Sequence, residues 1–151
     1  MASLKQLERN KNMIQKDKEL LIQDLSARLL YKVICHIEIP HKFTGYVEKG
    51  DLPLNSISIK DAKCDFITCW GIDIDYVRPY LRPLTSMTEE EYEQYRKFSY
   101  YGAAGYRNND YKEMVTTPSF EKMDFLNAHH FDYRGLIEKG LALEAPEGMY
   151  K

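Results

Sequence analysis

The stretch YKVICHIEI, residues 31–39, is dense in β-branched and aromatic residues and stops at Pro40, which is typical of a β-strand. Further short runs follow before residue 84, and in NSISIK the residues Ile57 and Ile59 alternate with polar ones, as half-buried strands do. About five short strands with turn signals between them favour a small antiparallel sheet, either an SH3-like β-barrel or a curled sheet. The later runs are expected at 44–48, 55–60, 66–70 and 72–76, and Arg78-Pro79 and Arg82-Pro83 are expected to end the ladder because proline donates no amide.

A helix is expected before the strands, because residues 1–30 contain neither glycine nor proline and Leu21, Leu25 and Leu29 recur at helical spacing. Ser3 and Gln6 resemble a capping box at its start. We expect residues 19–30 to pack on the body of the protein. Residues 3–18 would form a more solvated extension, which serves either as a dimerisation or partner helix or as a frayed surface helix.

Helical patterns return after the strands, where Thr88 and Glu91 fit a capping box for a helix that ends near Phe98. The glycine- and asparagine-bearing stretch at 99–111 predicts a loop, and a short helix is expected from Ser119 to about His129. The predicted fold is therefore α+β. It comprises an N-terminal helix or extension at 1–30, a small β-barrel at 31–84 and a helical region at 85–151, packed as one domain with the barrel.

Composition excludes several classes of protein. Of the 151 residues, 44% are hydrophobic and 29% are charged, so the chain is expected to fold around a core. Lys and Arg total 21 against 23 Asp and Glu, a near-balance that gives no overall attraction to nucleic acid or anionic membranes. No apolar run approaches the ~20 residues of a membrane span, and the N-terminus has no apolar signal core, so we expect a cytoplasmic protein.

The three cysteines, Cys35, Cys64 and Cys69, are odd in number and lack the CxxC spacing. Disulfide frameworks and structural zinc sites use paired cysteines, so these are predicted to be small buried hydrophobic residues on strands. We expect neither a metal nor a cofactor.

A histidine cluster is the first candidate site, with His129, His130 and Asp132 as its possible catalytic residues. An imidazole beside a carboxylate suits acid–base or metal chemistry. Adjacent histidines, however, diverge by about 100° on a helix and do not easily share one metal. The interpretation we favour is structural, with a histidine binding the last carbonyls of a helix.

A second candidate is the alternation of Arg78, Tyr80 and Arg82 in a short extended segment. Arginine beside an aromatic ring can hold phosphate and stack a base, so the three residues on one face of a strand would bind nucleic acid or a nucleotide. The favoured alternative is structural: Tyr80 packs, and both arginines pair with the acidic run at 89–93.

A third candidate is a tyrosine-rich loop, because six of the twelve tyrosines lie between residues 92 and 111. Tyrosine covers a large contact area at low entropic cost and keeps a polar tip, and it is therefore enriched in binding surfaces. Tyr92 and Tyr95 are expected to face the core, and the residues expected to contact a partner are Tyr100, Tyr101, Tyr106 and Arg107. The alternative is a disordered or packed loop without a partner.

Three phrases of the sequence carry a resemblance: LIQDLSARL at 21–29, VRPYLRPLTSMTEEE at 77–91 and DFLNAHHFDYRGLIEKGLALEAPEGMY at 124–150. Together they resemble a group of small uncharacterised proteins encoded by phages and mobile elements of gut Bacteroidetes-type bacteria. The chain departs from them at Leu30-Tyr31, where those proteins often carry a proline. The resemblance implies a phage or prophage setting in a bacterial host cell, and it attaches no activity, cofactor or catalytic residue.

The function expected from these observations is a non-catalytic binding module that acts on a host or phage protein, in host takeover or anti-defence. A nucleic-acid- or nucleotide-binding barrel and a His/Asp-dependent hydrolase are the alternatives. We expect no membrane association, and a dimer through the N-terminal helix remains an open alternative to a monomer.

Overall fold

The computed structural model of the protein describes residues 13–41, 43–65, 71–98 and 120–150. The fold is α+β, as predicted, and its strands belong to two sheets. The helices are α1 (Gln15–Arg28), α2 (Glu89–Lys97) and α3 (Phe120–Ala128). The strands are β1 (Ile34–Pro40), β2 (Val47–Pro53), β3 (Ser56–Ser58), β4 (Lys63–Asp65), β5 (Ile72–Asp73), β6 (Val77–Leu81) and β7 (Leu143–Glu144).

The larger sheet has the order β2-β1-β6-β7, with antiparallel β1–β2 and β1–β6 pairs and a parallel β6–β7 pair. The smaller sheet is antiparallel, in the order β3-β4-β5. In the described part of the chain these sheets do not close into a barrel, so the SH3-like barrel is not confirmed. Because β6 pairs with β1 and β7 instead of with β5, the strands separate into two groups.

Several strand boundaries differ from the predicted ones: the run predicted at 55–60 is a strand only at Ser56–Ser58, and the run predicted at 72–76 is a strand only at Ile72–Asp73. The run predicted at 44–48 is instead β2, which continues through Gly50 to Pro53, because β1 offers it a ladder of seven residue pairs from Ile34 to Pro40. Pro79 does not end a strand but lies within β6, opposite Cys35, and the short ladder with β7 starts one residue later, at Tyr80. Tertiary pairing therefore overrides the low strand propensity of glycine and proline. The run predicted at 66–70 lies outside the described residues.

Helix α1 packs on the body of the protein, as predicted, through the fully buried Leu21 and Leu25. A turn at 29–31 follows, and Lys32 then adopts a left-handed backbone conformation with φ 54°, which turns the chain into β1. The predicted cap at Ser3 and Gln6 lies outside the described residues. None of the helices in the described ranges is long and apolar enough to cross a bilayer.

A buried ion pair within α1 also contacts the C-terminal region. Arg28 Nε lies 2.8 Å from Asp24 Oδ2, and both side chains are fully buried. Arg28 Nη2 also donates to the carbonyl oxygen of Phe131 at 2.6 Å, and Arg134 Nε lies 3.3 Å from Asp24 Oδ1. A buried charge needs a partner of this kind, so the ion pair holds the turn around Phe131 in one position against α1.

Helix α3 contributes the buried Phe125 and Leu126 to a second hydrophobic cluster, which also includes Phe131. Helix α2 contacts this cluster through Tyr95. The predicted capping box is present: Thr88 Oγ1 accepts a hydrogen bond from Glu91 N, and Glu91 Oε2 accepts one from Thr88 N. Helix α3 ends at Ala128, close to the predicted end at His129, while Ser119 lies outside the described residues.

Two of the cysteines confirm the prediction made for them. Cys35 on β1 and Cys64 on β4 are free and fully buried, and burial raises the pKa of the Cys35 thiol well above its usual value. Such a thiol stays protonated and behaves as a small hydrophobic side chain. Cys69 lies outside the described residues.

Candidate functional site

His129 follows the last residue of α3 and takes the structural role that we favoured. Its Nδ1 donates to the carbonyl oxygen of Phe125 at 3.0 Å, and its ring stacks on the Phe125 ring with centroids 4.1 Å apart. Because a carbonyl can only accept, Nδ1 carries the hydrogen. The imidazole therefore caps the C-terminal end of α3 by bonding the carbonyl oxygen of Phe125.

His130 is 7% exposed and adopts a left-handed backbone conformation with φ 61°. Its ring stacks on Tyr150 with a centroid distance of 3.7 Å. Burial, together with the positive charge of Arg28 and the neighbouring His129, lowers the pKa of His130 to about 4. The side chain is therefore neutral at physiological pH.

Asp132 is bonded to the backbone that follows it. Its two carboxylate oxygens accept hydrogen bonds from the amides of Leu136 and Ile137, at 2.9 and 3.0 Å. Among the described residues it bonds to neither His129 nor His130. The acid–base pair considered from the sequence is thus not assembled here, and the described residues hold no cluster of three metal-ligating side chains.

The two histidines instead line a cavity of about 580 Å³ that also contains Arg82. The sequence places Arg82 and the histidines in separate candidate sites, and the fold brings them together. This first cavity lies where the turn after α1, the end of β6, helix α3 and the C-terminal segment meet. Its lining residues are Tyr31, Lys32, Arg82, Glu91, Ala128, His129, His130, Met149 and Tyr150.

A second cavity of about 520 Å³ shares Arg82, Glu91 and Tyr150 with the first. Its other walls come from the start of α2 and from the segment after β7. They are formed by Pro83, Ser86, Thr88, Glu144, Ala145, Pro146, Glu147 and Gly148. We call the two adjoining cavities together the Arg82 recess.

A bidentate ion pair lies in the shared wall of the Arg82 recess. Arg82 Nη1 and Nη2 donate to the two carboxylate oxygens of Glu91 at 2.8 and 2.9 Å, and the guanidinium lies over the ring of Phe131 at 4.3 Å. The hydrogen bond from Arg82 lowers the pKa of Glu91, more than burial raises it. The pair is therefore charged at neutral pH and fixes α2 against the end of β6.

Tyr150 positions the C-terminal segment against the sheet. Its hydroxyl donates to the carbonyl oxygen of Tyr80 at 2.8 Å and accepts from the amide of Ile34 at 2.9 Å. Burial raises the pKa of Tyr150 well above its usual value. These bonds to β1 and β6 keep the ring as a rigid wall of both cavities.

The second set of predicted site residues does not share one basic surface. Arg82 pairs with Glu91, as the structural alternative anticipated, while Tyr80 donates to Asp51 Oδ1 at 3.0 Å. Arg78 is 8% exposed, and its guanidinium donates to backbone carbonyl oxygens rather than to the acidic run. Those carbonyls belong to Asp75, Val77 and Gly140.

A polar cluster on the larger sheet is not singled out by the sequence. His36 Nδ1 lies 2.7 Å from Asp51 Oδ1 and its Nε2 lies 3.0 Å from Glu38 Oε1, with Lys49 Nζ 3.6 Å from the same Glu38 oxygen. The spacing of His36 and Glu38 on one strand places them on one face. Their meeting with Asp51, however, depends on the β1–β2 register. Both ring nitrogens are engaged, so this histidine is held as part of a charge cluster.

The third set of predicted residues, Tyr100, Tyr101, Tyr106 and Arg107, lies outside the described residues. The helices on either side of that segment are described, and they contact each other. Tyr95 and Phe98 at the end of α2 lie 6.0 and 5.9 Å from Phe125 of α3, measured between ring centroids.

Comparison with known proteins gives no assignment: no family model matches this chain, and no curated protein or solved structure is significantly similar to it.

Proposed function

We propose that the protein is a non-catalytic binding module that engages a host or phage protein. The observation that carries this proposal is the Arg82 recess, whose cavities of about 580 and 520 Å³ share three lining residues. Ligand sites in proteins are commonly concavities of about 300–1,000 Å³ with a few converging polar groups. A recess of two such lobes suits several side chains of a partner.

The tyrosine-rich segment supports the same proposal through its composition, because tyrosine is enriched in binding surfaces. Residues 99–119 connect α2 with α3, and both of these helices contribute to the recess: Glu91 of α2 lines both cavities and Ala128 of α3 lines the first. The residues proposed to contact the partner, Tyr101 and Arg107 among them, belong to this connecting segment, which follows the end of α2 opposite Glu91 and precedes the end of α3 opposite Ala128.

The bonding of the polar residues favours binding over the two alternative functions. The hydrolase considered from the sequence would need Asp132 to orient His129 or His130, and Asp132 is bonded to backbone amides instead. A nucleic-acid site would need accessible arginines, and Arg78 and Arg82 are bonded to carbonyl oxygens and to Glu91. The phage setting and a role in host takeover or anti-defence are parts of this proposal that rest on the resemblance.

The test is capture of a partner by the immobilised full chain from a lysate of a gut Bacteroidetes-type bacterium, followed by reconstitution with the purified partner. Replacing Tyr101 and Arg107 together by alanine should weaken the reconstituted complex at least about tenfold, because aromatic and arginine anchors dominate interfaces. The melting temperature should not change.

The matched control removes one tyrosine and one cation elsewhere. Tyr46→Ala with Lys60→Ala affects two exposed side chains that line neither cavity, and this variant should bind as the unmodified protein does. Equal binding by both double variants would contradict the assignment of the surface. Failure to capture any protein that survives reconstitution would contradict the function.

A further inference from the structure

The two cavities of the Arg82 recess differ in the charge of their walls. The first is lined by the cations Lys32 and Arg82 and by His129 and His130, with Glu91 as the acid among its lining residues. The second is lined by the acids Glu144 and Glu147 together with Glu91, with Arg82 as the cation. The recess is therefore basic at one end and acidic at the other.

The Arg82–Glu91 ion pair in the shared wall increases the difference in charge between the two cavities. Arg82 and Glu91 neutralise each other at 2.8 Å, which leaves Lys32 as the uncompensated charge of the first cavity and Glu144 and Glu147 as those of the second. These three side chains are exposed, and none forms an ion pair with another described residue. Unpaired charges at both ends are free to meet charges of a ligand.

His130 gives an independent indication that the first cavity receives a polar group. The residue is 7% exposed, and its Nδ1 is buried without a hydrogen-bond partner among the described residues. An unpaired buried nitrogen costs free energy, and such atoms in folded proteins commonly mark a missing partner group. His130 lines the cavity at the same end as Lys32.

We infer that the Arg82 recess receives a segment of the partner protein that carries an acidic side chain close to a basic one. The acidic side chain lies in the first cavity beside Lys32, and the basic side chain lies in the second beside Glu144 and Glu147. In an extended segment, residues i and i+2 point to the same side about 7 Å apart, so a peptide with this spacing presents both charges to one face of the protein. This inference rests on the proposed binding function and names the chemistry that the recess selects.

The experiment uses three capped tripeptides as probes of the full chain: acetyl-Glu-Gly-Lys-amide, acetyl-Glu-Gly-Gly-amide and acetyl-Gly-Gly-Lys-amide. Binding is followed by NMR of the histidine rings and backbone amides at low salt. The peptide with both charges should bind about threefold more tightly than either peptide with one charge, which is the scale of one partly exposed ion pair. A carboxylate in the first cavity should also raise the pKa of His130 above about 4.

Substitutions that reverse a charge show which residue of the recess recognises each charge of the peptide. Lys32→Glu should remove the advantage that the glutamate gives, and Glu147→Lys should remove the advantage that the lysine gives. Lys60→Glu and Glu138→Lys are the matched controls, because both are exposed and line neither cavity. They should leave both advantages in place.

Equal binding of the three peptides, no binding of any, or loss of selectivity in the control variants would overturn the inference. The proposed function would survive such a result if the captured partner still depends on Tyr101 and Arg107 while Lys32→Glu and Glu147→Lys bind it normally. If no partner survives reconstitution but the peptide selectivity is present, the charge selectivity of the recess is supported. The proposed binding of a partner protein is then contradicted.

Discussion

His36 and His130 lie in opposite electrostatic surroundings within one small fold. Burial lowers the pKa of His36, but hydrogen bonds to Glu38 and Asp51 and the charges of those carboxylates outweigh it, so the net pKa is raised above 6.5. For His130 burial dominates, positive neighbours act in the same direction, and the pKa falls to about 4. The two histidines therefore contribute to stability on opposite sides of pH 6.5.

The part of the free energy of unfolding that depends on these two histidines should accordingly be highest near pH 6.5. The contribution of His36 is fully present below pH 6.5 and is lost as the pH rises through its raised pKa. The contribution of His130 is present above pH 6.5 and is lost as the pH falls toward about 4. Denaturant unfolding measured from pH 5 to pH 9, with NMR titration of the histidine rings, checks both signs.

The control for this prediction is His36→Gln, which should flatten the decline on the alkaline side and leave the acidic side unchanged. The account of His36 fails if its ring titrates below pH 6.5. The account of His130 fails if its ring titrates at or above pH 6.5 in the folded protein.

At the scale of elements, α2 is held by its capping box, by one ion pair and by the contact of the partly buried Tyr95 with Phe125. None of its residues is buried, while the capping box joins Thr88 to Glu91, and Glu91 also pairs with Arg82. Helices without fully buried residues open locally at low free energy. The position of Glu91 in the Arg82 recess therefore depends on the cap.

Thr88→Ala should cost α2 about 1 kcal/mol, because the amide of Glu91 loses its side-chain acceptor. Hydrogen exchange of the α2 amides should then be about fivefold faster, while the amides of α1 around Leu21 and Leu25 keep their rates. Thr88→Ser retains the hydroxyl and should behave as the unmodified protein does. Equal exchange rates in the alanine and serine variants would show that the cap does not stabilise α2.

The same element shows which parts of the fold the sequence can predict. The capping box is local, so Thr88 and Glu91 predict the start of α2 without knowledge of its neighbours. The extent of β2 through Gly50 follows from pairing with the preceding strand β1, and the place of Pro79 inside β6 follows from pairing with β1, which is distant along the chain. Local propensity opposes both, and only the assembled sheet overrides it.

At the scale of the whole molecule, the Arg82 recess collects residues from four distant parts of the chain. Arg82 and the pair His129–His130 are chemically conspicuous in the sequence, but nothing in their spacing predicts that they meet. Lys32 and Tyr150 carry no local signal at all, because their role depends on where α1 ends and how the C-terminal segment returns to the sheet. Site chemistry is thus partly predictable from residue types, whereas its assembly requires the tertiary fold.

The central claim is that a partner protein binds at the Arg82 recess and at the tyrosine-rich segment. Hydrogen–deuterium exchange of the full chain, alone and with the reconstituted partner, tests this most directly. We predict slower exchange in peptides from 99–119 and in those that line the recess, namely 31–32, 82–91, 128–130 and 144–150. Slower exchange confined to β2 and the polar cluster around His36, with those peptides unchanged, would contradict the claim.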